Sequence, residues 1–233
     1  MDMAEQTAQL VARGLRFAES GAEPAPARLA ATVLLLRQSG PGLEVYLLRR
    51  AASMAFASGM YAFPGGSVDR VDYSGAPLGA ADRPGVDWPA RLGQPEPASA
   101  VVRAALRETA EETGVRLAVA DLVPWTRWIT PVFEPRRYDT YFFLAALPAG
   151  QQPADVSGEA DRTEWASPAD AVARTEAGEI FMFRPTSVTL GELVGFDTVG
   201  AALAAGAGRD AATAVLPRVE QSADGTARFV IGG

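Results

Sequence analysis

The chain has 233 residues, 48% of them hydrophobic and 21% charged, with a formal net charge of −7 and neither cysteine, histidine nor lysine. Those absences exclude disulfides, thiol and Cys-based zinc chemistry, the serine triad, His-ligated metals, Schiff-base chemistry and the lysine of a P-loop. The negative charge argues against a nucleic-acid partner, because phosphate backbones are held by excess positive charge.

The opening stretch, MDMAEQTAQLVARGLRF, lacks an apolar signal region and reads as an amphipathic helix over about residues 4–18. No apolar run approaches the ~18 residues of a membrane helix, so no membrane is expected as partner and a cytoplasmic location is expected. After a GAEPAPAR linker, AATVLLLRQ and LEVYLLRR are strands joined through SGPG, a hairpin signal. A short strand near MYAFP runs into Gly65-Gly66. Residues 67–98 then lose all periodicity and carry prolines 77, 84, 89, 95 and 97, so they read as an inserted loop, either a substrate lid or a plain solvent loop.

A helix resumes with Ser99 as N-cap and stops at Gly114, with Val102, Leu106 and Thr109 as its inward stripe. Strands follow at about 125–130, 138–147 and 162–166, and helices at 168–177, 187–194 and 197–205. In RPTSVTLGELVGF, Thr186 or Ser187 is expected to lead the helix. Two short strands are expected around the DG of the last stretch. No internal repeat is evident. The predicted organisation is an N-terminal helix and linker (1–28), a main domain (29–180) with its insertion at about 67–98, and a C-terminal extension (181–233) packed on it.

The stretch RETAEETG (107–114) places Glu108, Glu111 and Glu112 within roughly 100° of arc on one helix, on a face different from the inward stripe. Exposed carboxylates so placed repel by a few tenths of a kcal/mol per pair. A solvated acidic face is the bland reading of such a run. Hard cations offer the other, since Mg²⁺ and Mn²⁺ take oxygen ligands. Glu108 and Glu112, at i and i+4, can reach one ion, and Glu111 approaches the same region from i+3.

FPGGSVD and RETAEETGV together resemble the Nudix hydrolase signature, G-x5-E-x7-R-E-U-x-E-E-x-G-U, where U is a bulky aliphatic residue. Gly66 matches the leading glycine, and Arg107, Glu108, Glu111, Glu112, Gly114 and Val115 match the second half in register. Arg107 follows Gly66 by 41 positions instead of fourteen, an insertion of about 27 residues. The first glutamate, expected eight positions before Arg107, falls on Ser99, with Glu96 close by, and Thr109 replaces the aliphatic residue. A split signature of this kind resembles the branch holding the peroxisomal coenzyme A diphosphatases and their bacterial relatives. So do residues 47–66, 128–145 and 184–196, although the arginine that CoA-type motifs place four residues before Gly59 is Ala55 here.

The resemblance, spanning roughly residues 30–200, implies an α/β protein: a Nudix-type α/β/α sandwich with a mixed β-sheet and an appended helical C-terminal segment. It implies Mg²⁺ or Mn²⁺ held by Glu108, Glu111, Glu112 and the Gly66 backbone oxygen, with Arg107 positioning the glutamates. With no histidine, the base has to be a carboxylate or a cation-bound hydroxide. Glu111 is one candidate, and Glu159 or Glu164 is another, because relatives use a loop glutamate. Arg50, Phe63 and Arg137 are the expected substrate contacts. For Arg136-Arg137 the rival is loop-edge pairing with Glu134 and Asp139, and for Arg49-Arg50 it is surface solvation. Trp125, Trp128 and Trp165 offer faces for an adenine ring, against ordinary core packing.

The implied activity is cation-dependent hydrolysis of a diphosphate bond in a nucleoside diphosphate linked to another group, with CoA or acyl-CoA leading. ADP-ribose, dinucleotides and nucleoside triphosphates are the other substrates considered. A non-catalytic Nudix-fold nucleotide sensor is the rival from another class, kept open by Ser99. A purely structural interaction domain ranks last. The partner is a small-molecule nucleotide, and the oligomeric state is open, a homodimer among the options.

Overall fold

The computed structural model describes residues 3–52, 57–79, 81–94, 96–222 and 224–232. Its centre is strand β1 (Ala27–Ser39), buried without interruption from Ala30 to Leu36. A continuously buried run, apolar except for Thr32, whose hydroxyl donates to the Pro64 carbonyl, suits a strand covered on both faces. β1 turns back through Gly40-Pro41 into β2 (Gly42–Arg50), with Ser39 opposite Gly42. On its other side β1 pairs in parallel with β6 (Arg137–Ala146), from Ala27 opposite Arg137 to Leu36 opposite Ala146. The short β3 (Tyr61–Ala62) and β7 (Ala160–Ala166) pair with β2, and β4 (Gly65–Ser67) pairs with β1. β5 (Val123–Ile129) lies antiparallel to β6, and β8 (Ala214–Val215) lies parallel to β5. The result is a mixed eight-stranded sheet.

Helices cover both faces. On one, α3 (Ala98–Thr113) packs Val101, Val102 and Ala105 against Val33, Tyr141 and Phe143. On the other, α4 (Pro168–Glu176), α5 (Arg184–Leu193) and α6 (Val199–Ala207) bury Ala171, Leu190, Leu193 and Ala202 against Leu34, Leu36 and Phe142. The expected α/β/α sandwich is therefore present. No helix among the described residues is long and apolar enough to cross a membrane.

The insertion departs from its expected character. It is not a plain solvent loop throughout, because both of its ends are anchored. A 3-10 turn at Arg70–Tyr73 buries Asp72, and α2 (Trp88–Leu92) places Trp88 and Leu92 in the core beside α3. Trp88 meets Phe143 edge-on at 6.4 Å between centroids. Arg91 donates to the carbonyls of Gly206 and Arg209, at 3.0 and 2.8 Å, so the insertion also holds the C-terminal extension. Two apolar residues in a Pro- and Gly-rich stretch show no periodicity, which is why the sequence hides them.

Smaller differences have local causes. β5 starts two residues earlier than expected, and Pro124, which cannot donate to the ladder, is accommodated at a register shift between residues 124 and 126. Pro97, not Ser99, is the N-cap of α3, and Phe183, not Thr186 or Ser187, that of α5; Thr186 is buried. The C-terminal extension is not only helical: β8 joins the main sheet, and β9 (Arg218–Gln221) and β10 (Ala227–Val230) form a separate hairpin. The N-terminal helix α1 (Met3–Ser20) packs on that hairpin. A Cβ on Gly14 would lie 2.9 Å from the Val219 Cβ and 3.3 Å from Phe133.

Candidate active site

Two local features bring the signature halves together. β4 lies against β1, with Gly65 opposite Thr32 and Gly66 opposite Ala31. A side chain on Gly65 would fall 2.6 Å from the Thr32 Cα, so only glycine fits that approach. α3 then runs over β4 with its last two turns. Gly66 lies so close to Glu108 that a Cβ there would run into the carboxylate, and the Gly65 N–H donates to Glu112 Oε2 at 2.8 Å. Gly66, Glu108 and Glu112 are thus brought together across some 40 residues of chain.

The burial is not what a solvated face requires. Glu112 is 7% exposed, which corrects the expectation that all three carboxylates point away from the core. Burial pushes its carboxyl up to about 8, and the negative Glu108 and Glu159 push the same way, while the Gly65 N–H and Arg50 pull it back. Glu108 is also raised by burial, against the pull of Arg107. Glu111 is exposed and lies 2.9 Å from Arg107, its partner at i+4.

Arg107 is the hub. Nη1 reaches Glu108 at 2.8 Å and Glu111 at 2.9 Å, while Nη2 donates to the Ser67 carbonyl at 3.0 Å. Nε and Nη2 together grip Asp72, at 3.0 and 2.8 Å. The bond to Asp72 is the main reason that the guanidinium is held well above its ordinary range. The sequence reading missed Asp72. Its signal was the spacing G-x5-E counted forward from Gly66, which lands on residue 72, an aspartate in place of glutamate. Counting backward from Arg107 instead gave Ser99, whose Oγ accepts a hydrogen bond from the Leu78 N–H at 2.8 Å. Glu96 is exposed.

Arg50, Phe63 and Glu159 line one small pocket with Glu112, Asp155 and Ser157. Glu159 belongs to a loop pinned on the end of α3, where the Ala154 and Val156 N–H groups donate to the Thr113 and Glu112 carbonyls. Glu164 faces elsewhere, bound to Arg162 and Arg174 at 3.0 and 2.9 Å. Arg137 is not brought to this cluster: it donates to the carbonyls of Thr130 and Ala25, holding the linker that precedes β1. Arg49 pairs with Asp161 at 2.6 Å. Trp125 and Trp128 are core residues, Trp125 donating to Glu192 at 2.7 Å, and Trp165 packs on Tyr46 beneath Arg37. None of the three tryptophans lines this pocket. Ala55 lies outside the described residues.

Among the described residues, no group of three or more acidic side chains converges as a ready cation cage. What the site does offer is two carboxylates, one buried, beside the backbone of Gly66. Hard oxygen donors of that kind, at a place where negative charge is costly, fit Mg²⁺ or Mn²⁺, which keep several waters and share substrate phosphates.

Comparison with known proteins agrees with this geometry. Residues 78–184 match the family model of the NUDIX domain. That match contains α3 and Glu159 but begins after Gly66 and Asp72. The chain is 22% identical to the acyl-coenzyme A diphosphatase NUDT19 of Xenopus laevis over 66% of its length, and 24% identical to that of Gallus gallus over 67%. It spans 60% and 62% of the length of those two relatives. A solved NUDIX hydrolase from Alicyclobacillus acidocaldarius superposes with a TM-score of 0.64 at 26% identity, covering 77% of this chain and 96% of that one.

Proposed function

We propose, from the premise that this chain belongs to the Nudix superfamily, that it hydrolyses a diphosphate linkage in a nucleoside diphosphate joined to another group. The reaction depends on Mg²⁺ or Mn²⁺, and CoA or an acyl-CoA is the leading substrate. The observation that carries this reading is the meeting of Gly65-Gly66 with Glu108 and the buried Glu112. The CoA assignment leans on the likeness to the two acyl-coenzyme A diphosphatases.

When bound, the cation neutralises the pyrophosphate and lowers the pKa of the attacking water. Glu108, Glu112 and the Gly66 carbonyl would hold it, with Glu111 at the rim. Arg107 fixes Glu108 and Glu111 through direct hydrogen bonds. Glu159 is the base, taking the proton of the attacking water at its carboxylate; it shares a pocket with Glu112, whereas Glu111 is tied to Arg107 and Glu164 to two other arginines. Arg50, in the same pocket, contacts the diphosphate, and Phe63 provides an apolar wall. Asp72 occupies the first acidic position of the signature, so the substitution at Ser99 no longer favours a binding-only sensor.

The test is product analysis with Mg²⁺ or Mn²⁺ on a panel of CoA, acetyl-CoA, ADP-ribose, NADH, diadenosine polyphosphates and nucleoside triphosphates. Cleavage of CoA or acetyl-CoA to a nucleoside bisphosphate and a phosphopantetheine is the expected result. Preferential cleavage of another class would replace the substrate and keep the chemistry. Cation binding with no cleavage anywhere would sink the hydrolase reading.

A further inference from the structure

Ser99, Arg103 and Arg107 lie at i, i+4 and i+8 on α3 and so form one stripe along it. Each holds a successive part of the segment that leaves the glycine pair. Arg107 takes the Ser67 carbonyl and the Asp72 carboxylate. Arg103 donates to the Asp72 carbonyl at 3.1 Å and also to the Ala76 carbonyl. Ser99 accepts from the Leu78 N–H. Residues 67–78 therefore run antiparallel to α3, fastened at three heights.

Gly75 shows how closely Arg103 is seated. A Cβ there would lie 3.3 Å from Nη2, 3.5 Å from Cζ and 3.6 Å from Nε, and φ is +106°. The flat guanidinium rests against backbone that only glycine leaves open. This matters because Asp72 and Arg107 are 35 positions apart, so chain proximity does nothing to keep them together.

We propose that Arg103 is a positioning residue for the active site. Its guanidinium fixes the 72–76 backbone on α3, which delivers Asp72 to Arg107 and, through Arg107, orients Glu108 and Glu111. The proposal rests on the Nudix reading of the site.

The experiment compares wild type, Arg103→Ala, Arg103→Lys, Asp72→Asn and the Arg103→Ala/Asp72→Asn double variant. Three readouts are taken: Mn²⁺ affinity, amide hydrogen exchange over residues 68–78, and kcat and KM on the best substrate of the panel. Arg103→Ala should speed exchange in that segment, weaken Mn²⁺ about tenfold and lower kcat by a similar factor with little change in KM. Arg103→Lys should fall between, because a point charge cannot reproduce the planar fork. In the Asp72→Asn background, removing Arg103 should add little.

Faster exchange with unchanged Mn²⁺ affinity and kcat would overturn the positioning role and leave a structural clamp. Losses that multiply in the double variant would overturn the route through Asp72. Unchanged exchange would overturn the clamp itself. A wild-type protein that binds no Mn²⁺ would instead overturn the reading of the site, and the exchange rates would still decide the clamp.

Discussion

Asp72 and Arg107 meet through two hydrogen bonds of 3.0 and 2.8 Å, one to each carboxylate oxygen, with Asp72 almost fully buried. A bidentate pair of this kind sets an angle as well as a distance, so the remaining Nη1 is aimed at Glu108 and Glu111. Asp72→Asn removes the charge and one acceptor, and should lower kcat by about 10- to 100-fold. Asp72→Glu restores the residue usual in the signature and should recover most of that loss. Steady-state kinetics of the two variants check the order; equal losses would mean that charge pairing is not what matters.

The buried Glu112 predicts a pH dependence in cation-free protein. Its carboxyl is raised from 4.5 to about 8 in the fold, so the folded state binds that proton more tightly than the unfolded chain does. The stabilisation this gives is fully present below about pH 4.5 and is lost as pH rises toward 8. Urea midpoints measured in chelator should therefore fall across that window. Glu112→Gln should flatten that part of the slope, and saturating Mg²⁺ should restore stability at the alkaline end. A wild-type slope matched by the variant would refute the assignment.

Activity should move the opposite way. In the proposed site Glu112→Gln removes the carboxylate charge that would hold the cation, so it should cost at least about a hundredfold in kcat, more than a supporting residue does. The same variant should be no less stable than wild type in chelator at pH 8, because it no longer buries a charge. Loss of activity together with loss of fold would point to a structural role.

Variants of Glu159, on its loop, and of Glu164, which the structure places in β7 and not on a loop, separate the two later candidates for the base. Glu159→Gln should lower kcat by about 10²- to 10⁴-fold with KM little changed. Glu164→Gln should leave kcat near wild type, because Glu164 is held by Arg162 and Arg174 instead of the pocket. The reverse pattern would exchange their roles.

Trp88 tests the insertion. It is fully buried against Phe143, so Trp88→Ala should cost about 3–5 kcal/mol. In a chain of this size that is a fall in Tm of roughly 10 °C. A change of only a degree or two would return residues 67–98 to the status of a surface loop.

The strands and helices were largely legible, because continuous apolar runs and Gly114 mark them through local physics. The cluster of Arg107, Glu108 and Glu111 was legible for a similar reason: the three share one helix. Asp72 was not found, because a spacing rule counted from Arg107 fails when chain is added between the two halves. Trp88 and Leu92 were hidden among prolines and glycines, where two core residues make no period. Arg137 shows the opposite failure. Its charge suggested phosphate, but only the folded chain reveals that the Ala25 and Thr130 carbonyls take its donors.

The three fastenings of residues 67–78 on α3, and the anchoring of α2 in the core, leave the stretch at 81–85, exposed except for the half-buried Arg83, carrying none of the contacts that build the site. The catalytic arrangement is assembled across space, not along the backbone. A single proteolytic cut in that stretch should leave two fragments that stay associated and active, and separately expressed halves divided there should complement each other.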